Sequence, residues 1–371
     1  MTSASWVDAV IRGHTPRWQH MKADPQTVLD ICAQLEISGL VHSQLTRGAI
    51  PSDWPETISL ALEQRMRAAA AIELVRGREI TRVLDALAAH GVFPIVLKGA
   101  ALARTVYDAP AMRPSLDTDL LISRDQVEIT RDVVTRLGYR EPPMTGGEHV
   151  FCQFQLSKID PLGVEHVFDV HWKISTQTLF ADVLTYAELS AEAVPIAALG
   201  SHARTGCGPH ALLLACIHPV MHHGNQPRLL WMCDIHLLVR RLSHSELLRF
   251  AQLAVNKQMA AICKRQLSTA AEHCHTRLPP EVLEILTSST VSEPASAYLR
   301  PHRRWHHELL WNIRALPRWR PRMRLLREVL FPSPRYMLDA YHLGSRSVVL
   351  LPALYAHRCA YGAFKIMAGK K

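Results

Sequence analysis

The chain has 371 residues, enough for two domains or for one domain with a large addition. Forty-eight per cent of them are hydrophobic and 20% charged, which excludes a disordered chain and fits a protein with a sizeable core. The net charge of +9, concentrated toward the C-terminus, favours polyanions such as nucleotides or nucleic acid as partners.

The first ninety residues read as helices. Met1 to Arg17 holds no apolar run long enough for a signal peptide. Gln26 to Leu40 places Val28, Leu29, Ile31, Cys32, Leu35 and Ile37 at helical spacing, and a longer pattern runs from Pro55 to His90 before Gly91 stops it. At Val92 the period changes. Val92 to Leu97 is a short apolar run suited to a buried strand, Lys98-Gly99 ends it, and Ala100 to Tyr107 reads as a helix starting at that turn. Asp117 to Ile122 follows as a second strand, and Arg124 to Leu137 as a helix closed by Gly138-Tyr139. His149 to Leu156 and Val164 to Ile174 are two further strands, joined by a hairpin turn at Asp160-Pro161-Leu162-Gly163.

Helices return from Pro209: Ala211 to His223, Arg228 to Arg241, the stretch Ser245 to His275, and Glu281 to Thr287 beyond the break at Pro279-Pro280. The expected organisation is α+β, with a small mixed-sheet core over 91–205. An N-terminal helical segment over 1–90 and a larger helical domain over 206–371 flank it. The apolar run Val348 to Ala356 contains Pro352 and is too short to span a bilayer. The eight cysteines are scattered without C-x-x-C or zinc-ribbon spacing, which reads as reduced thiols of a cytoplasmic protein.

Three acids stand out. Asp117 and Asp119 are two apart on a predicted strand, so both carboxylates share one face. Asp169 lies on a later strand among mostly apolar neighbours, where a lone buried charge is costly and a shared cation would relieve it. Oxygen ligands on one face suit Mg²⁺, which takes one or two carboxylates plus substrate phosphates. Lys98-Gly99, at a strand-to-helix junction, offers outward backbone N–H groups, close backbone approach and an ammonium to an anion.

These residues resemble a known family. Lys98-Gly99, Tyr107, Arg113, Asp117-Thr118-Asp119-Leu120-Leu121-Ile122, Gly138-Tyr139 and Asp169-Val170-His171-Trp172 look like the uncharacterised nucleotidyltransferase family of the DNA polymerase beta-like superfamily. The later His218, His222, Arg228-Leu229-Leu230-Trp231 and Asp234 look similar too.

The resemblance implies transfer of an NMP group from an NTP, ATP foremost, to a hydroxyl acceptor with release of pyrophosphate. It implies two Mg²⁺ ions held by Asp117, Asp119 and Asp169, with Asp169 also placed to act as base. Lys98, Gly99, Arg113 and Arg228 would contact the nucleotide, His171 the acceptor or a carboxylate, and Asp234 would hold the helical domain against the sheet. The wider superfamily carries Gly-Ser or Gly-Gly at the phosphate turn, so the serine hydroxyl is missing from Lys98-Gly99-Ala100.

Other features stay open to structural readings. His218, His222 and His223 can share a helix face, but Pro219 stands where a metalloprotease needs glutamate, so helix packing is the expected role. The segment from Arg300 to Arg327, with Trp305, Trp311 and Trp319 interleaved, suits single-stranded nucleic acid or a basic solvated face. The acceptor expected is therefore a small molecule, peptide or protein; RNA modification and a catalytically silent nucleotide-binding module are the alternatives.

Overall fold

A computed structural model describes residues 3–21, 23–47, 53–142, 152–288, 292–300, 303–343 and 345–367. The N-terminal region holds α1 (Ser3–Ile11), α2 (Pro25–Gln34), α3 (Ser38–Arg47) and the long α4 (Glu56–Ala88). The predicted helix over Gln26 to Leu40 is in fact two, because Glu36 adopts φ 58° and ends α2. Trp6, Trp54, Ile58 and Leu62 pack these helices into a core of their own.

A six-stranded mixed sheet follows. β1 (Ile95–Leu97) leads into α5 (Lys98–Thr105), β2 (Thr118–Leu121) into α6 (Val127–Arg136), and β3 (Gln153–Ile159) pairs with β4 (Glu165–His171) as a hairpin. The hairpin turns at Asp160 to Gly163 as expected, with Gly163 at φ 78°. The first residues of the strand predicted from His149 lie outside the described residues. Beyond α7 (Thr178–Ala181) and α8 (Tyr186–Ala191), β5 (Val194–Pro195) and β6 (Arg204–Thr205) complete the order β3-β4-β2-β1-β6-β5. These two strands are only two residues each and carry no periodicity to predict them from.

The helical region comprises α9 (Gly208–His222), α10 (Leu229–Arg241), α11 (His244–Asn256), α12 (Ala260–Cys274) and α13 (Pro280–Ser288). The predicted run Ser245 to His275 is split between α11 and α12, because Gln258 takes φ 58°. The tail folds as α14 (Trp305–Ala315), α15 (Trp319–Leu330), α16 (Pro334–Ala340) and α17 (Leu351–Met367). Trp311 packs on Tyr298 with ring centroids 5.0 Å apart, whereas Trp305 and Trp319 stay exposed. Among the described residues no helix is long and apolar enough to cross a membrane, and no disulfide joins the cysteines.

Strand alternation divides the core into two layers. Val96, Leu120, Phe168 and Val170 point to the side covered by α4 and α6. Ile95, Leu97 and Leu121 point to the other, beneath α9 and α10. Gly138, at φ 90°, ends the turn after α6 and lets Tyr139 bury against Phe168, edge to face with centroids 5.4 Å apart. The Tyr139 hydroxyl donates to Glu79 Oε1 (2.9 Å), which also accepts from Lys158 Nζ (2.9 Å) and pairs with Arg82.

Burial pushes the Glu79 carboxyl up, but the bonds from Arg82, Lys158 and Tyr139 outweigh it and hold the pKa down to about 2. A depressed carboxylate stabilises the fold above its ordinary value of 4.5 and loses that contribution as pH falls through about 2. Glu79→Gln is therefore expected to cost about 1–2 kcal/mol at neutral pH after allowance for solvent screening. Urea titrations should show the gap between wild type and variant narrowing across that acid window.

Candidate active site

The parallel register of β2 and β4 sets Asp119 directly beside Asp169 and Leu121 beside His171. Side chains alternate along a strand, so Asp119, Asp169 and His171 all project from the face covered by the helical region. Ligand-capable atoms of these three lie within 4.8 Å of one another. Trp172, one residue on, goes to the opposite layer, where the Arg124 guanidinium lies 4.8 Å from its ring centre.

Asp119 is the centre of the cluster. It is only 5% exposed, and its Oδ1 lies 2.7 Å from Lys98 Nζ and 2.8 Å from His171 Nε2. Burial alone would raise its pKa, yet the Lys98 charge and the His171 bond hold it well below the usual carboxylate range. Asp169 accepts a hydrogen bond from Gln155 Nε2 (3.0 Å), its partner across the hairpin. Burial and the Asp119 charge push the Asp169 carboxyl up.

Asp117 stands one residue before β2 and outside the group of close ligand atoms. Burial and the charges of Asp119 and Asp169 raise it, with Ser115 Oγ 3.4 Å from its Oδ1. Three carboxylates thus share one field, and a single lysine ammonium offsets it at Asp119.

Lys98 reaches Asp119 from an uncommon backbone conformation, φ 51°. A non-glycine residue there costs of order 1–3 kcal/mol and persists where the surroundings over-determine it. Gly99 is required for a different reason. A Cβ on it would collide with Arg113 Nη1 and stand 2.6 Å from Ser115 Oγ. The turn therefore lacks a serine of its own but has the Ser115 hydroxyl packed against it.

Arg113 pairs with Asp234. Its Nε and Nη2 donate to the two carboxylate oxygens of Asp234 (3.2 and 2.8 Å), and the Tyr107 hydroxyl donates to the same Oδ1 (2.8 Å). Asp234 sits on α10, so this buried fork ties the helical region to the segment between α5 and β2. Arg228, at the exposed start of α10, lays its guanidinium 5.1 Å from the ring centre of Trp231 and does not join the acids.

Sequence patterning did not single out Gln155 or Ser115. Gln155 was detectable in principle, since Gln153, Gln155 and Ser157 alternate with buried Phe154 and Leu156. Ser115 lies in an irregular loop with no period to read.

The cluster of acids at the register point of two parallel strands, with a lysine on a strained strand-to-helix turn, suits an anionic substrate carried with a cation. A family model described as uncharacterised nucleotidyltransferase matches residues 21–279. The chain belongs to this family. No curated protein matches it. Membership in the nucleotidyltransferase family assigns nucleotidyl transfer as the general reaction class.

Proposed function

We propose that the chain moves an NMP group from an NTP to a hydroxyl of a small molecule, peptide or protein, with release of pyrophosphate. The observation that carries this reading is the Asp119–Asp169 pair in register, with the Lys98 ammonium bonded to Asp119. In this reading the acid pair is a cation position, and the Lys98 ammonium occupies one side of it in the unliganded protein. The donor set fits Mg²⁺: Asp119 and Asp169 would hold it, Asp117 would add a carboxylate at the edge, and His171 would fix the Asp119 rotamer. When bound, such ions stabilise the attacking and leaving oxygens of an in-line displacement.

The protein's own groups do the rest. Lys98 neutralises phosphate oxygens, and Ser115 with the backbone at Gly99 shapes the turn that receives them. Asp169, held by a neutral hydrogen bond from Gln155, receives the proton of the acceptor hydroxyl. The acceptor oxygen bonds to the α-phosphorus, the bond to the bridging oxygen breaks, and pyrophosphate departs with that electron pair. Arg113 and Asp234 act as positioning residues, keeping the turn and α10 in fixed relation.

The test is incubation of the full chain with α-phosphate-labelled NTPs, Mg²⁺ and a cell lysate. Label should pass to one acceptor in step with pyrophosphate release, and Asp119→Asn should lose both. Absence of NTP binding and of turnover under all four nucleotides would overturn the reading.

A further inference from the structure

The positive charge of the chain belongs to its tail. Residues 300–371 hold 15 of the 42 lysines and arginines but only 3 of the 33 acids, so residues 1–299 are slightly acidic. The family match ends at residue 279, and α14 to α17 stand outside it.

Helix α15 shows how that charge is arranged. At 3.6 residues per turn, Trp319, Met323, Leu326 and Leu330 fall at i, i+4, i+7 and i+11 and line one side of it. Leu325, the buried residue of α15, projects roughly a third of a turn away, so this row is not the side that packs. Trp319 is 69% exposed and Met323 55%, with Leu326 and Leu330 half-buried behind them. The exposed Arg320, Arg324 and Arg327 form the adjoining row, and the Arg320 guanidinium lies 5.8 Å from the ring centre of Trp319.

The guanidinium row calls for an anionic partner, and the apolar row asks that same partner for hydrocarbon. Single-stranded nucleic acid supplies phosphates and flat bases that stack on aromatic rings, but only Trp319 in this row is aromatic. An anionic bilayer supplies both chemistries. Arginines meet headgroup phosphates, tryptophan sits at the boundary, and methionine and leucine reach the acyl chains. The same tail exposes Val348, Val349 and Leu350 ahead of α17, further aliphatic surface that enters lipid and does not stack. At 12 residues α15 is too short to span a bilayer and would lie in the plane of its surface.

We propose that α15 docks the protein on an anionic lipid bilayer, with Trp319, Met323, Leu326 and Leu330 at the headgroup-to-acyl boundary and Arg320, Arg324 and Arg327 on the headgroup phosphates. The acid cluster takes no part, so docking and nucleotidyl transfer can fail separately. Full-length protein is sedimented with vesicles of equal parts phosphatidylcholine and phosphatidylglycerol, and with phosphatidylcholine alone. It should partition onto the anionic vesicles only, and less so as salt rises. Arg320→Gln, Arg324→Gln and Arg327→Gln together should weaken partitioning on the order of a hundredfold, at about fivefold per arginine. Trp319→Ser with Met323→Ser should weaken it at least about tenfold with every arginine in place. Thermal midpoints of both variants, expected at the wild-type value, separate lost docking from unfolding. Lipid brominated on its acyl chains should quench a part of the indole emission that Trp319→Phe lacks.

Equal binding to neutral and anionic vesicles, or binding to neither, would overturn the proposal. So would unchanged partitioning of the Trp319→Ser, Met323→Ser variant, or wild-type emission that brominated lipid leaves intact. Tighter binding of a single-stranded oligonucleotide than of anionic vesicles, lost in the arginine variant, would assign this face to nucleic acid instead.

Discussion

Asp119→Asn is expected to cost about 3–5 kcal/mol of folding stability, whereas Asp117→Asn should stabilise the unliganded protein, although both lose turnover. The opposite signs follow from the surroundings of the two acids. Asp119 is the buried partner of Lys98 and His171, and those groups hold its carboxyl well below the usual range. Making it neutral leaves the Lys98 ammonium, whose side chain is 17% exposed, without its counter-charge. Lys98 also keeps the backbone cost of φ 51°.

Among the described residues no cation bonds Asp117, and the Lys98 charge acts on it only from a distance. Burial and the charges of Asp119 and Asp169 raise it, so its ionised form works against the fold. A raised carboxylate contributes stability at low pH that is lost as pH rises through its folded pKa. The amide removes that repulsion, for a gain of roughly 0.5–2 kcal/mol, or a few degrees in midpoint. Thermal unfolding of the three proteins, with and without Mg²⁺, checks both signs. Mg²⁺ should raise the midpoint of wild type and leave Asp119→Asn unmoved. A destabilised Asp117→Asn would show that the acids are not held in mutual repulsion.

The contrast between these acids marks how far the sequence could be read. Period-two alternation is local, so it placed Asp117 and Asp119 on one face, and the strand Val167 to His171 put Asp169 and His171 together on another strand. The lateral register is not local. That Asp119, not Asp117, stands beside Asp169, and that His171 closes on Asp119, depends on strand pairing across fifty residues. Turn chemistry was legible where glycine demands it, at Gly138 and Gly163. It was not where Glu36 and Gln258 take the same positive φ, since nothing in those residue types announces it.

Lys98 is a further case: its charge pointed to an anion, but its strained backbone and its bond to Asp119 emerge only from the fold. The spacing of Arg228 and Asp234 along one helix likewise could not reveal that the partner of Asp234 is Arg113, 121 residues away.

That partnership carries the second large effect. Asp234→Ala should cost about 3–5 kcal/mol, because Arg113 is 7% exposed and would keep a buried charge with no carboxylate, while the Tyr107 hydroxyl also loses its acceptor. Stability alone would not separate a packing role from a positioning one. Breaking one partner is costly, but replacing both by apolar residues of similar volume is often neutral or stabilising. Arg113→Met with Asp234→Leu should therefore recover most of the lost stability in urea titrations.

Activity should not follow, because the guanidinium lies against Gly99 and fixes the turn from which Lys98 reaches Asp119. A methionine fills the volume but leaves the turn without its planar, hydrogen-bonded support. The double variant is expected to fold like wild type and to lose kcat more than it raises KM. Full recovery of kcat together with stability would reduce the Arg113–Asp234 fork to packing. Recovery of stability alone would make it the brace that ties the phosphate turn to the helical region.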